Sequence, residues 1–151
     1  MPDPAHGQQR IVVAYDGSPA ARAALHCAGR RTQPGDIIVI VHSYEAHPNP
    51  LNPSEYPGLL EEARQHGEAL LAAVPLDGLG GVQIEKELLT GPPAKLVANV
   101  AADRDATEII LGTRGLGPAR ALLGSVAHEI IHLAACPVTM IPERAIAKMP
   151  S

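Results

Sequence analysis

Phenylalanine and tryptophan are missing from this 151-residue sequence, and tyrosine occurs only three times, at Tyr15, Tyr44 and Tyr56. The core must therefore be aliphatic and rich in alanine. The same scarcity removes the stacking platforms that single-stranded nucleic acid requires. Twelve Lys and Arg against sixteen Asp and Glu leave a net charge of −4, so no global basic field favours a polyanion. No apolar stretch reaches the length that would span a bilayer. The opening MPDPAHGQQR is polar and lacks the apolar run of a signal peptide. Cys27 and Cys136 are too few and too far apart for a disulfide framework or a C-x-x-C site. They read as buried free thiols in a reducing compartment, and a cytoplasmic location is expected.

What is present is a chain of one-domain length with 46% hydrophobic residues. Ile11 to Tyr15 is a short apolar run, broken by Asp16-Gly17-Ser18-Pro19. Ser18 is a natural N-cap and Pro19 suits the first helical turn, so a helix to about Arg30 is expected, burying Ala21, Ala24, Leu25 and Ala28. Ile37 to Val41 is a second run without alternation. A proline-rich loop and a helix over about 57–74 follow, with Leu59, Ala63, Leu70 and Val74 at helical spacing. Val82 to Leu88 alternates like an edge strand with one wet face. Gly91-Pro92-Pro93 opens a helix that turns Leu96, Val97, Val100 and Ala101 inward. Ile109 to Leu111, a helix from Ser125 to about Ala135, and Val138 to Ile141 complete a βαβαβαβαβ order. That order implies a single α/β domain over 10–142, an open parallel sheet with helices on both faces. Residues 1–9 and 143–151 are expected to be loose tails.

Two motifs compete within GTRGLGPARALLGSVAHEIIH, residues 112–132. His128-Glu129-Ile130-Ile131-His132 matches the H-E-x-x-H pattern of zinc peptidases. Residues four apart lie only ~40° apart on a helix, so both imidazoles share a face. A third ligand is missing, however: no His follows His132, and the H-x-x-G-x-x-H extension is absent. The wheel turns Val126, Ile130, Leu133 and Ala134 inward and leaves His128, Glu129 and His132 on the wet arc. The zinc peptidase reading is the remote one, and no metal site is assigned.

The glycine reading rests on position. Gly112-x-x-Gly115 follows an apolar strand, and Gly124-Ser125 opens a helix. Glycine lets backbone N–H groups approach a phosphate, and a helix start adds unpaired donors and partial positive charge. Open α/β sheets bind ligands at this end of their strands. It is not a Walker A loop, because Gly-Lys-Ser/Thr does not occur. Asp16 ends the first strand as Gly112 ends the fourth. If those strands are neighbours, Asp16 faces the same crevice and can meet a ribose hydroxyl or an adenine amine; the alternative is a carboxylate that only forms the D-G-S-P turn.

The segments IVVAYDGSPAARAAL, VHS, LLTGPPAKLV and EIILGTRG…LLGSVAHEIIHLAACPVTMI together resemble the universal stress protein family over nearly the whole chain. The resemblance implies a five-stranded sheet in the order 3-2-1-4-5, the adenine nucleotide alpha hydrolase-like fold. It also implies the G-x2-G-x9-G-[ST] loop of the nucleotide-binding branch. Gly112, Gly115, Gly124, Ser125 and Val126 would then hold ribose and phosphates. Ala14, Asp16 and Ser43 would meet the adenosine, Ser43 through its backbone. One departure stands out: eight residues, Leu116 to Leu123, separate Gly115 from Gly124 where the family pattern has nine, and Pro118 lies among them. One residue fewer can move an amide by up to ~3.5 Å.

The sequence thus reads as an ATP-binding, or other adenine-nucleotide-binding, stress-response module with Mg²⁺ as a candidate companion. It is expected to be a homodimer through its last strand, at Val138 and Met140. No nucleophile–base pair is visible, so no catalytic residue is assigned and at most slow ATP hydrolysis is expected. The alternative is a dimeric stress-response protein with an empty crevice, acting through protein contacts.

Overall fold

The computed structural model describes residues 7–113 and 123–146. The β-branched runs form the strands β1 (Arg10–Ala14), β2 (Ile37–Tyr44), β3 (Gln83–Thr90), β4 (Glu108–Gly112) and β5 (Val138–Ile141). Between and after them lie α1 (Pro19–Arg31), α2 (Tyr56–Ala72), α3 (Pro93–Asp103), α4 (Ser125–Leu133) and a short α5 (Glu143–Ile146). The sheet is parallel throughout, in the order β3-β2-β1-β4-β5, as the family resemblance implies. Helical crossovers make this possible, since parallel neighbours need a long connection.

Alternate residues of the inner strands feed two cores. Ile11, Val13, Ile38, Ile40 and Ile110 pack with α1 and α2. Val12, Val39, Val41, Ile109 and Leu111 pack with α3 and α4 on the other face. Burial on both faces is why these strands read as continuous apolar runs rather than alternating ones. Ala21, Ala24 and Ala28 let α1 sit close on the sheet, in a core cluster whose aromatic is Tyr15. Its start is capped as expected: the Ala21 N–H donates to Ser18 Oγ at 3.1 Å, with Pro19 in the first turn.

Polar groups tie the layers. The buried Asp36 carboxylate accepts the Gln9 and Gln33 N–H groups, each at 2.9 Å, at the lower end of the sheet. Arg31 of α1 pairs with the buried Glu108 of β4, which also accepts the Thr139 hydroxyl of β5. Arg104 holds Glu85 at 2.6 Å and also pairs with Glu87, covering the outer strand β3.

Three expectations need correction. Leu133 does not turn inward; it is 46% exposed, and Ala127 is buried beside Ile130 instead. The covered arc of α4 is therefore centred one residue later than its first apolar position suggests, and its last residue stays exposed. The proline-rich loop contains a 3₁₀ turn, Pro53–Glu55, that the sequence reading did not separate from coil. Both cysteines are half-buried rather than buried. Burial, and then the charge of Glu108, push the Cys136 thiol up from its ordinary range.

Gly67 brings α2 against the sheet. A Cβ there would lie 2.7 Å from Leu88 Cδ1 and 3.1 Å from His42 Cδ2. Leu88 can yield, but the His42 ring has less room to move. Gly67→Val should therefore destabilise the fold by about 1–3 kcal/mol, the usual cost of overpacking. A urea midpoint equal to wild type would show that α2 lifts off freely.

Candidate functional site

With β1 central, the chain runs outward first through β2 to β3 and then, on the other side, through β4 to β5. The helices change face accordingly, and the strand ends part at the β1/β4 junction. This is the switch point at which open α/β sheets form a crevice. A cavity of about 430 Å³ lies there. That is within the range of roughly 300–1,000 Å³ usual for small-molecule sites.

Each wall follows from the local sequence. β1 ends at Ala14, and Asp16 begins the turn to α1. Asp16 Oδ1 accepts the Ser18 N–H at 2.9 Å, and Gly17 adopts φ +81°, a left-handed conformation that favours glycine. Asp16 therefore both forms the turn and lines the cavity. From β2 come Val41 and Ser43; from α3, Val97; from β4, Leu111 and Gly112. The floor is apolar where Val41, Val97 and Leu111 meet.

The far wall is the start of α4. Its Gly124 N–H donates to the Thr113 carbonyl at 2.7 Å, and the Thr113 N–H donates to the Ile141 carbonyl at 3.0 Å. Thr113 and Gly124 are thus held side by side at the end of β4. The helical ladder begins with His128 N–H to Gly124 C=O at 2.9 Å. The N–H groups of Ser125, Val126 and Ala127 come before it, on residues that line the cavity. They give this wall partial positive character. Asp16 is the only carboxylate, and no Lys or Arg occurs, among the described lining residues.

Seven of the residues singled out from sequence line this one cavity: Ala14, Asp16, Ser43, Gly112, Gly124, Ser125 and Val126. Gly115 lies outside the described residues. Sequence reasoning missed Tyr15, His42, Thr113 and Val97. Tyr15 is buried; desolvation pushes its phenol up, Arg22 opposes this and Asp16 adds to it. His42 donates from Nδ1 to the Tyr15 carbonyl at 2.8 Å. The VHS segment was its only trace in the sequence.

His128 and His132 stand exposed on α4, edge to face at 5.1 Å between ring centres. Among the described residues no group of three or more His, Cys, Asp or Glu could hold a metal ion. Elemental analysis should find no stoichiometric zinc. About one zinc per chain, lost in His132→Ala, would overturn that.

The sequence model of the Universal stress protein family matches residues 8–142. A universal stress protein of Thermus aquaticus is 34% identical over 134 residues, covering 87% of this chain and 96% of that protein. The fold is similar to a universal stress protein family protein of Arabidopsis thaliana solved with AMP bound (TM-score 0.60, 18% identity, 95% of this chain and 96% of that one). It is also similar to a universal stress protein solved in complex with cAMP (TM-score 0.59, 24% identity, 91% of this chain and 98% of that one). No helix among the described residues is long and apolar enough to cross a membrane.

Proposed function

The chain belongs to the universal stress protein family, and from that premise we propose that it is a cytoplasmic stress-response module whose crevice binds an adenine nucleotide, ATP first among them. The observation that carries this reading is the convergence of seven sequence-assigned residues on one cavity at the switch point. The AMP and cAMP bound by two proteins of similar fold support it.

In this reading the adenine lies on the apolar floor, against Ala14 and the Ser43 backbone. Asp16 has one carboxylate oxygen engaged by Ser18 and accepts from a ribose hydroxyl or the adenine amine with the other. Gly112, Gly115, Gly124, Ser125 and Val126 hold ribose and phosphates, through N–H groups that carry no side-chain cost of approach. The described lining offers Mg²⁺ a single carboxylate, so the ion would travel with the phosphates rather than sit in a protein cage. In this reading the module acts by binding, with no catalytic residue assigned and at most slow ATP hydrolysis. A homodimer through β5 completes the proposal.

Melting curves test it. Nucleotide at a hundredfold above Kd should stabilise the fold by ~2.7 kcal/mol. For a domain of this size that is roughly 5–10 °C in Tm. If millimolar ATP with Mg²⁺, AMP and cAMP all leave the curve unmoved, the shortened loop has closed the site. The protein would then act through protein contacts alone.

A further inference from the structure

Ala14 is the last β1 residue in register with β2, opposite Val41, and the Tyr15 N–H makes the final strand-like bond to the Val41 carbonyl at 2.8 Å. The chain then leaves the sheet toward Asp16. The Tyr15 carbonyl is taken by a side chain, His42 Nδ1, at 2.8 Å. A carbonyl oxygen only accepts, so Nδ1 carries the proton and the neutral ring has a single tautomer.

We propose that His42 is a positioning residue for the crevice, fixing through the Tyr15 carbonyl the strand end that presents Asp16. The proposal rests on the nucleotide reading of that crevice. Its mechanical basis is the planar peptide: the Tyr15 C=O and the Asp16 N–H share one rigid unit. Holding the oxygen holds the plane, and with it the direction in which the Asp16 Cα departs. The turn beyond is already constrained by Asp16 Oδ1 on the Ser18 N–H and by Gly17 at φ +81°. His42 thus supplies the restraint on the strand side of Asp16, and the turn supplies the one on the helix side.

The ring itself is held. A Cβ at Gly67 would come within 3.1 Å of its Cδ2 and 3.6 Å of its Nε2, so α2 lies directly behind it. His42 is wedged between the end of β1 and α2, with Nδ1 aimed at the crevice side. A second cleft, walled by Tyr44, Glu62 and His66, opens on its other side. Any side chain that fills the wedge without a donor at the δ position would pack but leave the Tyr15 carbonyl unpaired.

Asparagine and leucine separate packing from donation. An Asn side-chain N–H falls near the position of Nδ1, whereas Leu has comparable bulk and no donor. Affinity for AMP and for ATP with Mg²⁺ is measured by calorimetry on the full chain, with urea midpoints for every variant. His42→Leu should bind roughly tenfold more weakly, the factor for one lost buried hydrogen bond. His42→Asn should recover most of that loss. Leu binding as wild type does, or Asn falling as far as Leu at an equal urea midpoint, overturns the proposal while leaving the nucleotide reading intact. Wild type that binds neither nucleotide overturns the nucleotide reading instead. Hydrogen exchange at the Ser18 amide then decides the anchor: faster exchange in His42→Leu than in wild type supports it, and unchanged exchange overturns it.

Discussion

Leucine in place of Ala14 should remove the nucleotide-dependent rise in Tm while leaving the unliganded Tm close to wild type. Ala14 ends β1 with its side chain on the α3/α4 face, half-buried beside the cavity rather than inside a closed core. The longer side chain would lie over the floor made by Val41, Val97 and Leu111, where the adenine is proposed to rest. Overpacking costs arise where no space exists, and here the space is the cavity itself. The added apolar contact even favours the folded state slightly. The full effect of roughly 5–10 °C should thus vanish through loss of binding rather than of fold. Asp16→Ala should behave differently. It frees the Ser18 N–H as well as a ligand contact, so it should lower the unliganded stability by about 0.5–1.5 kcal/mol and reduce the shift without abolishing it. Gly115→Val should abolish the shift if the family's loop roles hold. An Ala14→Leu protein that still responds fully to nucleotide would place the ligand elsewhere.

The resemblance implied the order of the sheet, and burial leaves a compositional trace that agrees with it. Ile11 to Tyr15, Ile37 to Val41 and Ile109 to Leu111 are apolar at every position, and these strands are covered on both faces. Val82 to Leu88 alternates, and β3 is an edge strand. The crevice was legible for a related reason: Asp16 and Gly112 stand at or just past strand ends, which a parallel sheet brings together, whereas Ser43 came only from the resemblance. The residues that escaped act across distances the sequence does not encode. His42 meets a backbone carbonyl 27 positions away, which no side-chain pattern announces. Asp36 follows Pro34-Gly35 and looks like a wet turn residue, yet its carboxylate serves two N–H groups at the buried lower end of the sheet. Glu108 looks like a solvated strand start until Arg31 of α1 and Thr139 of β5 are brought to it. The wheel of α4 failed at Leu133 because a wheel assumes one covering surface along the whole helix, and the last residue of α4 is left uncovered.

That uncovered helix end motivates the second large effect, the loss of association in Met140→Lys. The two sheet edges differ in kind. β3 carries Glu85, Lys86 and Glu87, with Arg104 holding both carboxylates, a charged edge that resists further pairing. β5 reads Val-Thr-Met-Ile with no charge, and its first three residues are only half-buried. On α4, which packs against β5, Ile131 and Leu133 are 48% and 46% exposed. An uncharged edge with an apolar shoulder invites another chain, and a two-fold axis would supply a second copy of itself in antiparallel pairing. Symmetry places every substitution in the interface twice. A lysine at Met140 would therefore bring two like charges toward one apolar seam, each at a desolvation cost that a flexible stem relieves only in part. The dissociation constant should rise at least about a hundredfold, equivalent to ~2.8 kcal/mol. The isolated fold should change little, because Met140 is only half-buried, at the margin of the α3/α4 core. Sedimentation at tens of micromolar checks both parts: wild type should run as a dimer and Met140→Lys as a monomer, with matching circular dichroism. A wild type that is strictly monomeric at that concentration sinks the idea, and a dimer indifferent to Met140→Lys moves the interface away from β5.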